Sequence, residues 1–77
     1  MTWSKTQEKA PKGFAWWAHS GGRTWRLASD MNPNLDFQSE IRLTDGVYYD
    51  DYGGCSTTLQ GCTESLLAVV FNEKFNR

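Results

Sequence analysis

The sequence predicts a small α+β domain, an antiparallel four-stranded β-meander with a C-terminal helix packed on one face. Three observations carry that prediction. Gly21-Gly22 and Asp45-Gly46 each separate two strand-like runs, residues 35 to 43 alternate apolar and polar side chains, and an apolar stretch near the C-terminus begins with helix-start residues. With 77 residues the chain has room for one domain. Residues 1 to 12 read as a flexible basic arm closed by Pro11 and Gly13, and residues 13 to 77 as the compact domain.

The first hairpin joins residues 14 to 20 to residues 23 to 28. A two-residue Gly21-Gly22 loop of type I′ sets Ala18 opposite Trp25 and Trp16 opposite Leu27. Because side chains alternate, Phe14, Trp16, Ala18, Trp25 and Leu27 then share an apolar face, and Ala15, Trp17, His19, Thr24, Arg26 and Ala28 take the solvent face. After a loop over residues 30 to 34 comes the alternating strand, with Leu35, Phe37, Ile41 and Leu43 on one side. A three-residue turn with Gly46 left-handed pairs Val47 with Leu43 and Tyr49 with Ile41, which keeps apolar partners together. Residues 53 to 61 form a loop or a short helical turn. The tail from Thr63 fits a strand, but the helix is preferred: Thr63 caps it, Glu64 lies in its first turn and Arg77 near its end. Leu67, Val70, Phe71 and Lys74 form its stripe, with Phe75 beside them.

Composition excludes several classes of function. Aromatic residues make up 14% of the chain, too many for an intrinsically disordered polypeptide. The N-terminus lacks the apolar core of a signal peptide and no run approaches a membrane span, so a cytoplasmic protein is expected, in the host cytoplasm if the source is viral. In that compartment Cys55 and Cys62 are free thiols, with a disulfide as the alternative on export. A single histidine, two cysteines and no phosphate-binding glycine fingerprint argue against an enzyme, and neither a metal site nor a cofactor is expected.

The net charge of −1 conceals an ordered distribution. Residues 1 to 29 carry five basic side chains against one acidic, residues 30 to 64 seven acidic against one basic, and residues 65 to 77 two basic against one acidic. Tyrosines interleave the acidic stretch. Tyr48, Asp50, Asp51 and Tyr52, with Asp45, Glu40 and Asp36, are therefore the candidate partner-binding residues: tyrosine offers contact area at low entropic cost, and carboxylates steer a basic partner. The expected partner is a nucleic-acid-handling protein, whose basic groove such carboxylates occupy as phosphate mimics. Analogy of size and charge, without a motif match, compares this with small phage inhibitors such as anti-CRISPR proteins. The alternative is a stacking platform of Trp17, Arg26 and His19 that binds single-stranded nucleic acid or a glycan directly. A homo-oligomeric structural component is the third expectation.

Overall fold

The computed structural model describes residues 2 to 75, with side chains as far as Phe71. Strands β1 (Trp3–Lys5), β2 (Phe14–His19), β3 (Thr24–Ser29), β4 (Ser39–Thr44), β5 (Val47–Asp50) and β6 (Cys55–Ser56) precede one helix, α1 (Leu59–Phe75). The strands form a single antiparallel sheet in the order β1-β2-β3-β4-β5-β6. The α+β class is as expected, but the sheet has six strands rather than four. Both additions lie at the edges. Trp3–Lys5, in the stretch read as an arm, pairs with β2 through Trp3↔His19 and Lys5↔Trp17, and Cys55–Ser56 pairs with β5. A three- and a two-residue strand are too short to show a pattern in sequence.

In the first hairpin the expected register holds: Trp16 lies opposite Leu27 and Ala18 opposite Trp25. The turn differs from type I′. Only Gly22 is left-handed, at φ 76°, and the Gly22 N–H donates to the His19 carbonyl at 2.9 Å, so the loop spans residues 20 to 23. One glycine at the closing position suffices for such a turn.

The second hairpin corrects the expected register. Asp45 and Gly46 are both left-handed, at φ 52° and 78°, and Thr44 pairs with Val47, a two-residue type I′ loop. Tyr48 therefore stands opposite Leu43 on the helix side, while Tyr49 stands opposite Arg42 on the other. The turn's own geometry outweighed the apolar match of Val47 with Leu43. The alternating strand is also shorter than expected. Asp36 sits at φ 53°, which breaks the extended chain, so β4 starts at Ser39 and leaves Leu35 and Phe37 exposed.

The tail is a helix, and it begins at Leu59 rather than after Thr63. Thr58 caps it: its Oγ1 accepts from the Gly61 N–H at 3.1 Å, and its carbonyl from the Cys62 N–H at 3.1 Å. Thr63, the expected cap, is buried and donates its hydroxyl to the Gln60 carbonyl at 2.9 Å. Gly61, a poor helix former, lies in the first turn, where a Cβ would come within 2.5 Å of Ser56 Oγ, so the close approach needs a glycine. With the earlier start, Cys62, Leu66 and Val70 form the fully buried stripe, flanked by Leu59, Leu67 and Phe71. Lys74, Phe75 and Arg77 lie outside the described side chains.

This stripe packs on Trp16, Leu27 and Ile41, with Phe14, Trp25 and Tyr48 around them. Phe14 meets Phe71 edge to face at 5.5 Å, and Trp25 meets Tyr48 at 5.4 Å. The helix therefore packs on one face; the opposite face carries no helix, but the loop before β4 folds over part of it, where Pro33, Asn34 and Phe37 meet Arg26 and where Ala15 and Ala28 are buried.

Candidate functional site

The face opposite the helix is the candidate site, and the strand register defines it in two rows. One runs across the sheet through Lys5, Trp17, Arg26 and Glu40, and is continued by Asp51 just past the end of β5. The next holds Trp3, His19, Thr24, Arg42, Tyr49 and Cys55. Positive charge gathers on β1 to β3 and carboxylates on β4 and β5.

On the basic side, Arg26 is clamped rather than free. Its guanidinium carbon lies 4.5 Å from the Trp3 ring centroid and 5.2 Å from that of Phe37. One terminal nitrogen donates to the Pro33 carbonyl at 3.3 Å and to Asn34 Oδ1 at 3.2 Å. The expected pairing of Arg26 with Trp17 holds in the backbone, but the side chain reaches across to Trp3. Trp17 donates its indole N–H to the Ser29 carbonyl at 3.0 Å and lies under Lys5 Nζ at 5.4 Å. His19 accepts the Gly21 N–H on Nδ1 at 3.1 Å and meets Trp3 edge to face at 5.0 Å. Trp17, Arg26 and His19 are thus brought onto one face, as the register requires, but each is engaged within the chain.

On the acidic side, Glu40, Arg42, Tyr49, Asp50 and Asp51 line a surface concavity of about 270 Å³. Tyr49 and Tyr52 keep about half their surface in water, at 47% and 50%. Asp50 is mainly a turn former: its Oδ1 accepts from the Tyr52 and Gly54 N–H groups, both at 2.8 Å. Asp51 Oδ1 accepts the hydroxyl of the buried Ser39. Glu40 pairs with Arg42 at 3.5 Å.

The seven sequence-predicted partner-binding residues are therefore partly assembled. Glu40, Asp50 and Asp51 converge, and Tyr52 follows them in the same turn. Tyr48 is on the opposite face, packed against the core beside Trp25. Asp45 is at the tip of the β4–β5 hairpin, beside Arg23, and Asp36 in the loop before β4. Sequence reasoning missed Tyr49 and Phe37, both placed on the apolar side, and Arg42. The Asp45-Gly46 pair was the available signal for Tyr49, since a two-residue loop turns that ring outward.

The two thiols are free and differ in environment, Cys55 exposed and Cys62 buried. Burial, with the nearby Asp50 carboxylate and Cys55 adding to it, pushes the Cys62 thiol up to about 11. Among the described residues no three His, Cys, Asp or Glu side chains gather as a metal site, and no helix is long and apolar enough to cross a membrane. No family model, curated protein or solved structure matches this chain.

Proposed function

We propose that the chain is a non-enzymatic protein-binding module that engages a basic surface of a nucleic-acid-handling protein through Glu40, Tyr49, Asp51 and Tyr52. The observation that carries this reading is the concavity between Glu40 and Asp51, with the exposed rings of Tyr49 and Tyr52 at hand. A lysine or arginine from the partner entering it would meet Glu40 on β4 and Asp51 just past β5, take Glu40 from its pairing with Arg42, and stack its stem on tyrosine. The exposed carboxylates of Asp36, in the loop before β4, and Asp45, at the hairpin tip, lie outside this concavity and steer encounter more than they bind. Such a surface suits a small inhibitor of the phage type, because it competes with phosphate for a basic groove.

Phosphate mimicry rests on Glu40 and on the second oxygen of Asp51, whose Oδ1 is held by Ser39; Asp50 Oδ1 takes two N–H groups of its own turn. Titration with an arginine-rich peptide tests the surface. Glu40→Gln with Asp51→Asn should weaken binding by at least about tenfold, or 1.4 kcal/mol, and flatten its salt dependence. Unchanged affinity would reject the site.

A further inference from the structure

We infer that the loop between β3 and β4 is the apolar half of the interface proposed above, and that the basic partner meets it with large apolar side chains set among its lysines and arginines. The inference rests on that reading and adds to it a second surface and a second demand on the partner.

The case begins with where the exposed apolar side chains lie. Met31, Leu35 and Phe37, all in the loop over residues 30 to 38, keep 86%, 54% and 49% of their surface in water. Tyr49 lines the concavity and Tyr52 follows Asp51 in the turn beside it; among the described residues, Val69 is the one large hydrophobic side chain so exposed that stands elsewhere. Scattered apolar residues on a surface need no explanation, but a group of them in adjoining segments marks a contact surface. These two segments adjoin because β4 and β5 are antiparallel, which brings the start of β4 and the end of β5 to the same end of the sheet, Ile41 opposite Asp50. Ser39, the first residue after the loop, donates its hydroxyl to Asp51 and ties the segments together. The Phe37 ring also lies on Arg26, whose neighbour across the strands is Glu40.

The loop is also held in shape before any partner arrives. Asn32 Oδ1 accepts the Asn34 N–H at 2.8 Å, the Asn32 carbonyl accepts the Leu35 N–H at 3.2 Å, and the Leu35 carbonyl accepts the Ser29 N–H at 2.9 Å. Arg26 donates to the Pro33 carbonyl and to Asn34 Oδ1. Displaying the apolar side chains on an ordered loop lowers the entropy lost when they are covered. Charge decides what covers them. Residues 30 to 38 carry Asp30 and Asp36, both exposed, and no Lys or Arg. Anionic lipid headgroups would repel both carboxylates. A second copy docked loop to loop would set them against their own kind. A basic protein segment that also carries large apolar side chains satisfies the carboxylates and the apolar groups together.

Two synthetic peptides of equal charge test the inference by fluorescence anisotropy, one alternating arginine with leucine and the other arginine with serine. The wild type should bind the leucine peptide at least about tenfold more tightly. Met31→Ser with Leu35→Ser should bring the two peptides within about twofold of each other and leave the affinity for the serine peptide unchanged. If that pair lowers the denaturation midpoint, Met31→Ser alone, at the side chain with 86% exposure, should still reduce the leucine preference at least about threefold. Equal binding of the two peptides by the wild type, or a leucine preference that survives these substitutions, overturns the inference. So does binding of the wild type to phosphatidylserine-containing vesicles, or self-association that Met31→Ser abolishes, since the loop then serves a membrane or a second copy. The two readings fail separately. Equal peptide affinities that still fall in Glu40→Gln with Asp51→Asn defeat only the loop. Affinities unmoved by those two substitutions, with a leucine preference that the loop substitutions remove, defeat only the carboxylate site.

Discussion

On the face beneath α1, Trp16, Leu27 and Ile41 lose all exposure to water, whereas across the same sheet Phe37 and Tyr49 keep 49% and 47% of theirs. Both faces are rich in aromatic side chains, and the strands alternate between them residue by residue. On the covered face the rings are held by burial against Leu66 and Val70. On the other face Trp3 and Phe37 are held by Arg26 and Trp17 lies under Lys5. Burial is non-directional and strong, whereas a cation–π contact is directional and contributes about 0.5–1 kcal/mol at an exposed site. A surface kept in place by the second kind of contact stays ordered while leaving polar and aromatic groups available to a partner. The difference between covered and open face is therefore a division between stability and recognition, and substitutions can test it.

The largest effect belongs to the covered face. Trp16→Ala should cost about 3–5 kcal/mol, a large part of the stability of so small a domain, and urea denaturation should show the variant largely unfolded in buffer. On the open face Arg26→Ala removes the cation that joins β1 to the loop before β4. A loss of about 1–2 kcal/mol is expected, with faster amide exchange in Trp3–Lys5 and little change in β4. Thr58→Ala tests the helix that makes the difference between the faces, and should lower stability by about 1 kcal/mol through the lost cap at Gly61.

Cys62 adds a pH dependence to the covered face. Its thiol holds a proton more tightly when folded than when unfolded, up to about 11 against 9.0, so its contribution is intact below about pH 9 and is lost as the pH rises toward 11. Denaturation at pH 8 and pH 10.5, compared with the same measurement on Cys62→Ala, isolates that contribution; an equal loss in both proteins would dismiss it. The smallest stability effect is expected for Tyr49→Ala, within about 0.5 kcal/mol, although the same substitution should weaken binding of the basic peptide. A large loss of stability there would mean that the open face is part of the core.

Much of this contrast is legible in residue order. The alternation Phe14, Trp16, Ala18 against Trp17 and His19, with Gly21-Gly22 between the strands, gives the first hairpin's register because a one-residue slip would bury Arg26 and expose Trp16. The second hairpin is less legible. Val47 is apolar yet lies opposite Thr44, and one misplaced apolar residue outweighs a correct turn signal when a pattern of four residues is read. Glu40 and Asp51 emerge as candidates from charge alone, but Tyr49 follows only once that register is known.

Local sequence thus determined the α+β class, the first hairpin, the acidic middle and basic N-terminal stretch, and the alternation that gives the sheet two unlike faces. Tertiary structure decided the rest. It recruited Trp3–Lys5 as an edge strand because Trp3 finds Arg26 across β2, a contact between residues 23 apart that no local pattern reports. It moved the helix start to Leu59 because Thr58 supplies the cap, and Gly61, lacking a side chain, leaves room for Ser56 and Thr58 against the first turn. It also sent Tyr48 inward and Tyr49 outward, because a left-handed Asp45-Gly46 turn was compatible with the twist of the strands it joins.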